Sequence, residues 1–171
     1  MKNEIKESIS ALINSKKSLM LSSIGQQGIQ GFQPETSYAP FYCDFEHQTF
    51  YIYLSDLASH SRNLQQHANA SVLIIEDESN SEQIFARKRV QYSVVAELVK
   101  RESEEHSIIT EKMKERFGDI IDLFNGLADF KLFQLHAKQG RYVEGFGRAF
   151  NIQQGLMQDL VPAMQDARSK K

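Results

Sequence analysis

The sequence predicts a mainly β protein: an antiparallel β-barrel with peripheral helices, in a single domain over residues 1–171. Two observations predict it. Apolar residues recur with period 2 in roughly six or seven segments. The helical segments lie between these strands and at the chain ends, with their own start and stop signals. A third observation concerns assembly. Tyr38, Tyr42, Tyr51, Tyr53 and Tyr92 fall on strands with an exposed look, which predicts a sheet face covered by a second subunit and hence a homodimer.

In chain order, Asn3 caps a first helix whose Ile5, Ile9, Leu12 and Ile13 share one face. Leu19, Leu21 and Ser23 alternate with Met20, Ser22 and Ile24 in a first strand. Gln26-Gln27-Gly28 turns the chain. Pro34 sets the start of the next strand at an edge or bulge, and Pro40 limits how central that strand can be. Phe50, Ile52 and Leu54 alternate with Tyr51 and Tyr53. Ser55-Asp56 then offers a helix cap, and Leu57, Ala58, Arg62 and Leu64 follow at helical spacing. Ala70 to Ile75 is a nearly unbroken apolar run, as expected of a strand covered on both faces.

After an acidic loop over Glu76–Glu82, Gln83 to Ala86 reads as a helical turn. Val90, Tyr92, Val94, Ala96 and Leu98 form one face of a long strand. Ser103 caps a helix with Ile109, Met113 and Phe117 inward, stopped by Gly118. Asp119 caps a short helix with Ile120, Phe124 and Leu127 inward. Phe130 to His136 is a strand, Gln139-Gly140 a turn, and Arg141 to Gly147 a returning strand. Asn151 to Met164 reads as a weak helix broken by Pro162, before a polar, mobile tail over residues 165–171.

The bulk numbers exclude several classes. The net charge of -2 gives no broad pull toward nucleic acid or anionic membrane. The single cysteine, Cys43, rules out an internal disulfide and leaves no zinc pattern. No apolar run is long enough for membrane insertion, and the N-terminus has no signal-peptide core, so a cytoplasmic location is expected.

Two stretches suggest binding. Ser55, Ser59, His60, Ser61, Arg62 and Asn63 crowd a helix start, where backbone N–H groups and the dipole suit an anion; an ordinary capped helix fits the same residues. In Arg87-Lys88-Arg89, the two arginines project to one strand face. They are either solvated or a bidentate clamp for a phosphate or carboxylates. Cys43 has no His or Asn context to mark a nucleophile, and no nucleophile elbow is present.

Taken in series, Ser37-Tyr38-Ala39-Pro40-Phe41, Ser55 to Leu64, Ile75-Glu76-Asp77-Glu78, Phe85 to Arg89, Glu115 to Gly118, Ala128 to Phe133 and Gly145-Phe146-Gly147 resemble the heme-utilisation proteins of the HugZ/HutZ type. The resemblance runs from about Ile5 to Phe150. It implies a split barrel like that of pyridoxamine-phosphate oxidases, a homodimer that usually carries FMN between subunits. In this branch it implies heme near the dimer interface, oxidative opening of the porphyrin and release of iron, with an unknown electron donor.

By that resemblance Arg89 contacts the distal side or a propionate, with Arg87 and His60 as secondary candidates. Asp129 matches the carboxylate that hydrogen-bonds the proximal histidine, strengthening it as a donor to iron. Catalysis is thus assigned to Asp129 and Arg89, and cofactor contact to Ser55, His60, Arg62, Asn63, Arg87 and Arg89. One departure matters. The family's iron-binding histidine falls in a C-terminal loop, and Ala167 stands in that place; Met164 nearby is either a soft ligand or, as is commoner, an ordinary surface or core methionine. Three functions therefore stay open: a heme-degrading oxygenase, an FMN-binding oxidoreductase whose phosphate sits on the Ser55–Asn63 helix start and the Arg87/Arg89 pair, and a non-catalytic heme-binding or delivery protein.

Overall fold

A computed structural model describes residues 2–26 and 31–163. The expectations for the turn at Gln27-Gly28 and for residues 164–171, Met164 and Ala167 included, lie outside them. The elements are α1 (Lys2–Ser15), β1 (Ser18–Gln26), β2 (Phe32–Asp44), β3 (Thr49–Ser55), α2 (Ser59–Gln66), β4 (Asn69–Ile75), β5 (Arg89–Leu98), α3 (Glu104–Phe117), α4 (Ile120–Gly126), β6 (Phe130–Gly145), β7 (Arg148–Gln154) and β8 (Gln158–Pro162). All strand pairs are antiparallel, in the order β3-β2-β1-β4-β5-β6-β7-β8. A further pairing of β3 with β6 closes the first six into a ring, leaving β7 and β8 as an extension.

The ring's interior holds the main core. Leu19 and Leu21, Phe41, Phe50 and Ile52, Val72 and Ile74, Val90, Tyr92 and Val94, and Phe133 and Leu135 alternate inward, as period 2 requires. The predicted face of α1 packs into the same cluster. Tyr92 is buried and donates its hydroxyl to the Leu156 carbonyl at 2.9 Å, satisfying the polar end of an otherwise apolar side chain. A second core lies outside the ring, where α3 and α4 cover Tyr51, Tyr53 and Leu132 with Ile109, Met113 and Ile121. Ser103 caps α3 as expected, accepting from the His106 N–H at 3.1 Å.

Several expectations are corrected. Pro34 and Pro40 sit in an interior strand, yet β3 pairs only with Phe41–Asp44. The proline-bearing stretch is laddered to β1 alone, so neither missing N–H costs a bond. Gln139-Gly140 is no turn: β6 runs through it for 16 residues, with a register shift opposite Ser93 and Val94. Glycine is required at 140 because a Cβ there would stand 2.6 Å from both the Gln91 carbonyl and the Tyr92 ring.

The predicted C-terminal helix is a hairpin, β7 with β8. On α4, Ile121 is buried while Ile120 and Leu127 face out. The apolar run of β4 is covered on one face only: Val72 and Ile74 are buried, Ser71 exposed. Of the five tyrosines expected at a subunit interface, Tyr51, Tyr53 and Tyr92 are buried within the chain and Tyr38 is exposed.

Candidate functional site

The sequence-predicted site residues fall into two groups at opposite ends of β6. At its start, Ser55 ends β3 opposite Phe130. Its hydroxyl donates to Asp129 Oδ2 at 2.6 Å and accepts from the Leu57 N–H at 3.1 Å. The Asp56 N–H donates to the Asp129 carbonyl at 2.8 Å, so both chain crossings meet at this corner.

Ser55-Asp56 is not the helix cap. Ala58 is, with no side-chain cap bond. Asp56 instead supplies a carboxylate to the helix start: Oδ1 accepts from Ser61 Oγ at 3.1 Å and Gln65 Nε2 at 2.8 Å, and Oδ2 pairs with Lys131. The Lys131 bond, with those from Gln65 and Ser61, holds the Asp56 carboxyl below the usual range. An anion is suited to this helix start, and the chain provides one of its own. Arg62 donates through Nη1 to the Asp56 and Leu57 carbonyls at 2.6 and 2.9 Å, bracing the same loop.

Asn63 is buried, and its Nδ2 reaches Ser23 Oγ and Glu35 Oε2, both at 3.1 Å. Here it ties α2 to β1 and β2. His60 is half-buried; burial lowers its pKa, with the nearby Glu35 opposing the shift. Spacing alone missed Asp56, Glu35 and Lys131, because their partners are 5 to 75 residues away in sequence.

The second group lies at the far end. Arg89 opens β5, opposite Ile75 and Val143. Arg87 precedes the strand and donates through Nε and Nη2 to the Glu76 carbonyl, with Glu78 Oε1 at 3.4 Å from Nη1. Arg89 donates through Nη1 to the Arg87 carbonyl at 3.0 Å. The pair thus braces the 76–88 loop; Glu76, which also accepts from the Lys88 N–H at 2.7 Å, is its organising residue. A groove of about 390 Å³ runs between this loop and the β6–β7 turn, lined by Glu76, Glu82, Lys88, Glu144 and Phe146 among others. Phe85 and Phe146 are 85% and 71% exposed beside it. From Phe130 to Val143 the strand has a contour of about 40 Å at roughly 3.3 Å per residue, and Asp129 and Arg89 stand at its two ends.

Burial pushes the Cys43 thiol well up, with Asp44 adding to the shift. It is a packed thiol and no nucleophile.

The family model described as pyridoxamine 5'-phosphate oxidase matches residues 5–144. The chain is 40% identical over 146 residues to a Vibrio cholerae protein named heme oxygenase HutZ, covering 85% of this chain and 80% of that one. The crystal structure of HutZ from Vibrio cholerae, described as a heme storage protein, superposes with a TM-score of 0.73 at 36% identity, over 81% of this chain and 94% of that one. Campylobacter jejuni ChuZ superposes with a TM-score of 0.83 at 26% identity, over 99% of this chain and 66% of that one. The chain belongs to the pyridoxamine 5'-phosphate oxidase family and, within it, to the heme-utilisation proteins of the HugZ/HutZ type.

Proposed function

We propose that this protein binds heme between two copies of a split barrel and opens the porphyrin oxidatively, releasing iron. The observation that carries this reading is the 40% identity, over 85% of the chain, to a protein named heme oxygenase. The side-chain chemistry fits heme as substrate. Exposed Phe85 and Phe146 offer flat apolar walls, and Lys88 and Arg89 beside them can pair with propionates. Arg87, bonded to Glu76 and Glu78, holds the loop that presents them.

Asp129 has one oxygen on Ser55 and a second that can accept an imidazole N–H. Since the two groups stand about 40 Å apart along β6, a site that uses both is completed by a second copy, one contributing the arginine end and the other the carboxylate end. Molecular oxygen would be the oxidant and an external reductant would supply the electrons that activate it; the chain's own residues bind, orient and exclude water.

A second reading, storage or delivery without cleavage, draws on Ala167 in place of the expected ligand and on the description of the Vibrio structure as heme storage. The flavin reading draws on the family, while Asp56 sets a carboxylate against the Ser61 and Gln65 side chains of α2.

Titration of the purified protein with hemin, followed by ascorbate in air, separates the three. The oxygenase reading expects a shifted Soret band that then decays while a ferrous chelator reports released iron. A stable Soret band sinks cleavage and leaves storage. No Soret shift, with a flavin spectrum on adding FMN, sinks both. Ala167→His should tighten hemin binding by tenfold or more, on the order of 1.4 kcal/mol.

A further inference from the structure

A cavity of about 250 Å³ opens where the chain passes from β5 to α3 and from α4 to β6. Its floor is apolar. Val99 and Leu132 are both buried, and the Val99 N–H donates to the Leu132 carbonyl at 2.9 Å. Phe130 stands beside them, its ring stacked on Phe124 with centroids 4.1 Å apart. Leu98 and Ala128, both exposed, stand at the mouth.

Every charged residue that lines this cavity is cationic: Lys100, Arg101 and Lys131. Lys131 is committed to Asp56. Arg101 donates through Nη1 to the Leu127 carbonyl at 2.9 Å and through Nη2 to the Asn125 carbonyl. Those bonds fix the guanidinium, leave three of its N–H groups over and neutralise none of its charge. Among the described residues neither Lys100 nor Arg101 has a carboxylate partner. Of the acids nearby in sequence, Glu97 pairs with His136 and Glu105 accepts from Tyr51, while Glu102 and Glu104 are exposed and line no part of the cavity.

His106 adds an independent observation. The residue lines the cavity and is only 9% exposed, yet its ring has no hydrogen-bond partner among the described residues. Its backbone N–H is taken by Ser103, and the ring meets Tyr53 edge-on. Burial and Arg101 both lower its pKa, so the neutral ring offers one N–H and one lone pair. Buried polar groups are normally partnered, and the cavity is where a partner for this one fits.

We propose that this cavity binds a small organic monoanion, a carboxylate carried on a single aromatic ring. The ring lies against Val99, Phe130 and Leu132; the carboxylate accepts from His106 and from the planar fork of Arg101, with Lys100 at the mouth. Drug-sized ligands occupy pockets of about 300–1,000 Å³, so this cavity selects something smaller. The site is independent of the heme reading.

Heme-free, full-length protein titrated with sodium benzoate should show shifts of the Val99, His106 and Leu132 amide NMR signals that saturate below about 10 mM. Benzyl alcohol, the neutral analogue, and inorganic phosphate, the anion without a ring, should each bind at least about tenfold more weakly. Lys100→Glu should weaken benzoate at least about threefold. Ala128→Phe, which fills the mouth from an exposed position, should abolish binding, and both variants should melt near wild type. Absence of saturable shifts overturns the proposal. So does benzyl alcohol or phosphate binding as tightly as benzoate, or wild-type affinity in either variant. Should Ala128→Phe melt early, Ala128→Leu decides in the same sense.

Discussion

Strands β3 and β4 invert what their sequences suggest. β3 alternates aliphatic and tyrosine residues, the pattern of a half-exposed strand, yet six of its seven residues are buried. Phe50, Ile52 and Leu54 face the ring's interior; Tyr51 and Tyr53 lie under α3 and α4. β4 is nearly all apolar, the pattern of a strand covered twice, yet only Val72 and Ile74 are buried. The difference lies in the cover each strand receives. A tyrosine can be buried when its hydroxyl finds a partner, as Tyr51 does at Glu105 (2.9 Å) and Tyr53 at Asn125 (3.0 Å). An aliphatic residue on the open face of β4 has no comparable cover among the described residues.

The largest expected effects test the two-sided burial of β3. Phe50→Ala removes a fully buried ring that packs edge-on against Phe41 and tilted against Tyr92, and should cost about 3–5 kcal/mol in urea unfolding. Tyr53→Ala removes a ring touching Phe124, Phe130 and His106, and should cost about 3 kcal/mol. A Tyr53→Ala cost below about 1 kcal/mol would mean that α3 and α4 only shade this face and do not form a core with it.

Legibility follows the same division. Where burial is decided by the strand's own alternation, residues such as Leu19, Leu21, Val90 and Val94 reveal it. Where a distant element decides, they do not. Gly140 looks like a turn because the Tyr92 ring that excludes a Cβ there lies on another strand. Ile152, Leu156 and Leu160 recur every four residues, as on a helix, and all three are buried. They do so because a hairpin brings Ile152 opposite Leu160 with Leu156 in the turn.

The candidate site shows the same limit. Ser55, Asn63 and Asp129 are recognisable as polar residues at element ends. That Ser55 holds Asp129, and Asn63 holds Ser23 and Glu35, is set by the ring's closure.

A smaller effect sharpens the contrast on β4's inner face. Ile74→Val should cost about 0.5–1.5 kcal/mol, whereas Leu73→Ala, one residue earlier and half-buried, should cost less in the isolated chain. Equal costs would show that Leu73 is already packed and that the outer face is not open.

Acid should distinguish the outer layer of β3 from its inner one. His106 packs edge-on to Tyr53, and burial lowers its pKa, with Arg101 acting in the same direction. The folded chain therefore favours the neutral ring. Its contribution is fully present above the unfolded value near 6.5 and is lost as pH falls below that toward the folded pKa. His60 shifts in the same direction and adds the same sign. His47, whose pKa Asp44 raises, has the opposite sign, so the variant isolates the His106 part: His106→Gln should lessen the loss of stability between pH 7.5 and 5.5. An unchanged slope would place the acid response elsewhere.

The smallest effect on stability tests what covers β4. Tyr38, Met20, Leu73, Gln91 and Arg141 form a continuous cross-strand row on the open face. The hollow there is about 460 Å³, larger than the groove at the arginine end. If a second copy covers this row, Leu73→Lys should leave the chain's own unfolding within about 0.5 kcal/mol of wild type while shifting sedimentation from dimer to monomer. The charge would be solvated in the monomer but desolvated and unpaired in the interface. The same variant should then weaken hemin binding without touching Arg89 or Asp129, because each half of the proposed site would have lost its complement. A variant that stays dimeric would assign the second subunit to another face, and the apolar run of β4 would need a different cover.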